Sequence, residues 1–117
     1  MAEGRRILLV EDDVLIGMML ADMFDALGYP EPVQAASVED ALTAIAADPI
    51  DAALVDINLG DAKGWPVADA LAARDIPFAF TSGGGDVIPP AHAERKLVSK
   101  PFRLSEIEAV LDGFFGS

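Results

Sequence analysis

The sequence predicts an α/β domain, a doubly wound five-stranded parallel sheet with helices on both faces. Three observations predict it. Short apolar runs alternate five times with segments of helical apolar spacing, the pattern of a parallel sheet whose crossovers lie on both faces. The runs are short and bounded by Gly, Pro and acidic residues, as buried strands are. Four of the five end on side chains able to do chemistry, and right-handed crossovers would gather those ends on one edge.

At 117 residues the chain has the size of one domain with a real core, and we expect a single domain over residues 1–117 with no output domain. Hydrophobic residues make up 52% and mean hydropathy is +0.35, which excludes a disordered chain. No apolar run approaches the ~18–20 residues of a membrane span. Met1 to Arg6 leads straight into a strand without a signal peptide's apolar segment, so a cytoplasmic location is expected. The absence of Cys excludes disulfides and thiolate metal sites. A net charge of −12 argues against nucleic acid and anionic membranes as partners, since both need basic patches. Much of that acid is solvated surface; some of it clusters where a cation could sit.

The first strand is Arg6-Ile7-Leu8-Leu9-Val10, ending in Glu11-Asp12-Asp13. One of these acids should cap the next helix, whose buried face is Ile16, Leu20, Met23, Phe24 and Leu27. Leu15, Met18 and Met19 lie off that face, and Gly28 with Pro30 ends the helix. Pro32 to Ala36 is a short, weak strand. Ser37-Val38-Glu39-Asp40 fits a capping box opening a second helix, with Val38, Ala41, Leu42 and Ile45 at helical spacing and Asp48-Pro49 as its end. Ala52 to Val55 is the third strand, ending at Asp56, and the Gly-rich loop Gly60 to Gly64 follows. Pro66 suits a first helical turn, and Val67, Ala70 and Leu71 continue that helix. Trp65 is expected to lie over the loop.

Phe78-Ala79-Phe80 is the fourth strand and ends in Thr81-Ser82-Gly83-Gly84-Gly85. Asp86 to Arg95 contains Pro89-Pro90 and little periodicity, so a full fourth helix is not expected. His92, with no partner pattern, is expected at the surface. Lys96 to Ser99 is the fifth strand, ending at Lys100-Pro101-Phe102. Ser105-Glu106-Ile107-Glu108 reads as a capping box for a last helix that buries Ile107, Val110, Leu111 and Phe114.

The strand ends then supply Glu11, Asp12 and Asp13, Asp56, Thr81 and Ser82, and Lys100. Carboxylates from two strands suit Mg²⁺, a hard cation that takes oxygen ligands. With the cation present, Asp56 can act as a nucleophile on phosphorus. The Thr81 hydroxyl and the Lys100 ammonium can hold phosphoryl oxygens. Taken singly, these residues have ordinary uses as caps, turn residues or surface charge; their joint occurrence on one edge carries the reading.

Four motifs, Leu9-Val10-Glu11-Asp12-Asp13, Leu54-Val55-Asp56-Ile57-Asn58-Leu59, Phe80-Thr81-Ser82-Gly83 and Ser99-Lys100-Pro101-Phe102, give the whole chain a resemblance to the receiver domain of bacterial two-component response regulators. The resemblance implies strand order 2-1-3-4-5. It implies Asp56 as phosphoacceptor, with Mg²⁺ held by Asp12 and Asp56 directly, by Glu11 through water and by the Asn58 carbonyl. Thr81 and Lys100 would take the switch and phosphoryl-binding roles, and the Lys100-Pro101 bond would be cis. It implies a sensor histidine kinase or histidine phosphotransfer protein as donor. With no output domain, the output would be contact with a downstream protein partner, making the chain a switch rather than an enzyme.

Two features depart from the family pattern. Leu97 stands where an aromatic switch residue is usual, and the fourth helix is degraded. They resemble a subgroup of stand-alone receivers with an altered fourth-helix region, and suggest that Gly83 to Val98 is a mobile signalling segment. The enzymatic alternative is a Mg²⁺-dependent aspartate-nucleophile phosphohydrolase of the haloacid dehalogenase type. That family needs an acid two residues after the nucleophile, where this chain has Asn58.

Overall fold

A computed structural model describes residues 5–115; the reading of Met1 to Gly4 lies outside the described residues. In chain order the elements are β1 (Ile7–Val10), α1 (Val14–Ala26), β2 (Val33–Ala35), α2 (Val38–Ala47), β3 (Ala52–Asp56), β4 (Asn58–Leu59), β5 (Ala62–Lys63), α3 (Trp65–Ala73), β6 (Phe78–Ser82), β7 (Leu97–Ser99) and α4 (Leu104–Phe114). The main sheet has the order β2-β1-β3-β6-β7, and every pairing within it is parallel. Counting only its five strands, this is the order 2-1-3-4-5.

Side chains alternate across a strand, and the core divides accordingly. Leu8, Val10, Ala53, Val55, Phe78 and Phe80 pack with Ala41 and Ile45 of α2 and Val67, Ala68 and Leu71 of α3. Ile7, Leu9, Ala52, Leu54, Ala79 and Val98 pack on the other face with Leu20 and Phe24 of α1 and Ile107, Val110 and Leu111 of α4. Burial on both faces explains why β1 and β3 read as unbroken apolar runs rather than as alternating ones.

The helix ends follow local chemistry. Asp13 caps α1, accepting the N–H groups of Leu15 and Ile16 at 2.9 and 3.2 Å. Ser37 Oγ accepts the Asp40 N–H at 3.1 Å at the start of α2. The box read at Ser105 does not form: α4 begins at Leu104, after Arg103, and carries no side-chain cap. Ser105 is already inside the first turn, where it cannot serve as the cap.

Three further features differ from the sequence reading. The glycine loop holds a small antiparallel hairpin, β4–β5, with Asn58 opposite Lys63. It closes through Gly64 N–H to Ile57 O at 2.8 Å, and a Cβ on Gly64 would meet the Asp56 carbonyl oxygen at 2.7 Å. Only glycine permits that approach. Trp65 is half-buried and edge-on to Phe80, at 5.5 Å between ring centres, so it packs on the core rather than over the loop. His92 is buried, 4% exposed, where exposure was expected. Its ring stands edge-on to Phe78 and Phe80, and its Nε2 lies 2.7 Å from Asp69 Oδ1 on α3. As anticipated, the fourth helix is degraded: between β6 and β7 the regular structure is a single 3₁₀ turn, Pro90–His92.

Candidate functional site

The parallel register brings the carboxyl ends of β1, β3, β6 and β7 to one edge. Asp56 stands beside Thr81, and Ser82 stands beside Ser99. Asp56 is buried, 2% exposed, at the end of the central strand. Its Oδ1 accepts the Asn58 N–H at 3.0 Å, and its Oδ2 accepts Lys100 Nζ at 3.0 Å. Lys100 Nζ is also 3.3 Å from Glu11 Oε1. The Lys100-Pro101 bond is cis.

Among the described residues, Glu11, Asp12 and Asp56 each offer a carboxylate oxygen, and these lie within 4.8 Å of one another. Glu11 is buried; its Oε2 accepts the Asp13 N–H at 3.1 Å, while Oε1 faces the Lys100 ammonium. Asp12 is exposed and accepts the Gly60 N–H at 2.9 Å, tying the loop after β3 to the end of β1. Burial, and then the Asp56 carboxyl beside it, push Glu11 up to about 7. Burial disfavours the Lys100 charge, but Asp56 and Glu11 outweigh it and hold the ammonium above its ordinary range. One lysine is too little positive charge for three close carboxylates. Three close carboxylate oxygens sharing a single ammonium make an all-oxygen donor set that suits Mg²⁺.

Both hydroxyls at the end of β6 are buried. Thr81 Oγ1, beside Asp56, has no hydrogen-bond partner. Ser82 Oγ accepts the Gly84 N–H at 2.9 Å and donates to Asp86. Leu97 lies on the edge strand, 39% exposed. Asn58 presents its side chain to solvent and donates it to Asp86 at 3.1 and 3.2 Å.

The sequence reading missed the Asp86 cluster. Asp86 also receives Lys63 Nζ at 3.2 Å, and Lys63 donates to Asn58 Oδ1. The hydrogen bonds to Ser82 and Asn58 and the Lys63 charge hold Asp86 below the usual carboxylate range. No periodicity marks such a cluster; the only signal was an acid placed just after three glycines.

A family model described as the response regulator receiver domain matches residues 7–112. The chain belongs to that family. Three solved structures show the likeness in detail. The solution structure of SdrG from Sphingomonas melonis Fr1 is 40% identical, with a TM-score of 0.82 over 95% of this chain and 96% of that one. The BeF3-activated conformation of SdrG from Pseudomonas melonis Fr1 is 42% identical, with a TM-score of 0.78 over 91% and 92%. The response regulator REC domain of PhyR from Erythrobacter litoralis is 30% identical, with a TM-score of 0.78 over 96% and 90%. No curated protein matches the chain. Receiver domains act as signalling switches, bind Mg²⁺ in their acidic site and interact with histidine kinases or phosphotransfer proteins. The Glu11, Asp12 and Asp56 cluster of this receiver domain fits that site.

Proposed function

We propose that the chain is a phosphoacceptor switch of a two-component phosphorelay. The observation that carries this is Asp56: a buried carboxylate at a strand end, bonded to Lys100 at 3.0 Å and grouped with Glu11 and Asp12. An Asp56 oxygen attacks the phosphorus of a phosphohistidine. The P–N bond breaks, the imidazole leaves with the bonding electron pair, and an aspartyl phosphate forms. Mg²⁺, when bound, would supply charge neutralisation for the transferring phosphoryl group. Asp12, Asp56 and the Asn58 carbonyl would hold it directly, and Glu11 through water. Lys100 supplies a second positive charge, and the unpartnered Thr81 hydroxyl a hydrogen bond. The output is a change in contacts with a downstream protein partner.

Acetyl phosphate and Mg²⁺ test the assignment by intact mass. One phosphoryl adduct is expected on the parent and none on Asp56→Asn; an adduct that survives the substitution overturns it. The hydrolase alternative gains no support, because Asn58 is an amide engaged with Asp86 and not a proton donor on a catalytic path.

A further inference from the structure

We propose that Asp86 is a built-in latch that holds the inactive arrangement and opposes phosphorylation of the site. The inference rests on the phosphoacceptor reading of Asp56 and adds how that site is restrained. The Asp86 carboxylate receives Asn58 Nδ2, Lys63 Nζ and Ser82 Oγ together. Its side chain is only 11% exposed, although it sits just after three glycines. Asn58 and Lys63 belong to the hairpin that follows Asp56, and Ser82 ends the strand beside it. One carboxylate thus joins the Gly83–Gly85 loop to both sides of the site's mouth. Gly84 and Gly85 adopt positive φ, 114° and 77°, and the carboxylate fixes a loop that glycine leaves otherwise free.

The latch reaches the reacting carboxylate through one residue. Asn58 donates its backbone N–H to Asp56 Oδ1 and its side-chain amide to Asp86. A phosphoryl group on Asp56 puts about two negative charges where the carboxylate had one, and brings three acceptor oxygens. It competes for the donors that Asp86 now occupies and repels the Asp86 carboxylate. By linkage, whatever the phosphoryl group loosens must in turn weaken the phosphoryl group's hold. Loss of the latch therefore favours the activated state and frees the loop before any phosphoryl analogue is added.

The test titrates beryllofluoride with Mg²⁺ into the parent, Asp86→Ala, Lys63→Met and the double variant, following Trp65 fluorescence and amide exchange at Gly83–Gly85. Asp86→Ala should bind about tenfold more tightly, a coupling of ordinary size, and its loop amides should exchange faster in the free protein. Lys63→Met should move both readouts in the same direction, and the double variant should fall short of the sum. Unchanged or weaker binding by Asp86→Ala, or unchanged exchange in the free protein, overturns the latch. Failure of the parent itself to bind, or binding that persists in Asp56→Asn, instead overturns the phosphoacceptor reading.

Discussion

At Glu11 the site's electrostatics become measurable. Its proton is held up to about pH 7 by burial and by Asp56, and the cation must displace it. Below that pH, Mg²⁺ affinity should rise by up to about tenfold per pH unit as one proton is released; above about pH 8 it should level off. Isothermal titration at several pH values checks this, and Glu11→Gln should flatten the dependence. Asp12→Ala should weaken binding at every pH, since Asp12 would be a direct ligand. Lys100 and the two hydroxyls divide the next step. Lys100→Ala should still be labelled at Asp56 by saturating acetyl phosphate but lose the conformational response, read by amide shifts with beryllofluoride. Thr81→Val should blunt that response if the unpartnered Oγ1 turns to the phosphoryl group. If Ser82→Ala alone blunts it, the hydroxyl one residue on carries the role.

At the element scale, the segment between β6 and β7 carries contacts that its composition did not announce. Its apolar residues anchor it weakly: Val87 is 86% exposed, and Ile88 is only partly buried. The segment is held instead by Asp86 at its start and by His92 further along. His92 fills a space between Phe78, Phe80 and α3, and pairs with an Asp69 side chain that is 70% exposed. Packing should therefore outweigh the polar contact. His92→Ala should cost about 2–4 kcal/mol by loss of a buried ring, and Asp69→Asn less than about 1 kcal/mol, as exposed pairs do; urea denaturation separates the two. Hydrogen exchange should place Gly83 to Val98 below Leu8 to Val10 in protection, and beryllofluoride should change the segment and not the strand. With Leu97 where an aromatic is usual, an order change in this segment is the expected form of the signal.

Across the whole molecule, the chain's plan was legible because its signals are local or periodic. Ile7 to Val10 and Ala52 to Val55 announce buried strands by unbroken apolar runs, and Leu20, Phe24, Ile107 and Leu111 announce helix faces by spacing. The placement of the candidate site was legible because strand ends converge in a parallel sheet, so Glu11, Asp12, Asp56, Thr81 and Lys100 could be put on one edge without coordinates. Contacts made across the fold by isolated polar residues were not legible. Nothing near His92 in the sequence points to Asp69, 23 residues away, or near Asp86 to Asn58, 28 residues away. The hairpin at Asn58–Lys63 was hidden because two-residue strands carry no periodicity, and the box at Ser105 misled because a cap is decided by backbone geometry as well as by residue type.

The central claim is that Asp56 receives a phosphoryl group from phosphohistidine. Its most direct test is phosphotransfer from a labelled histidine kinase core or phosphotransfer protein to this chain, with and without Mg²⁺. Label should leave the donor only with Mg²⁺, appear on the chain as a base-labile acyl phosphate, and be lost in Asp56→Asn. Label on Asp56→Asn, or transfer that ignores removal of Mg²⁺ by chelation, would contradict the account.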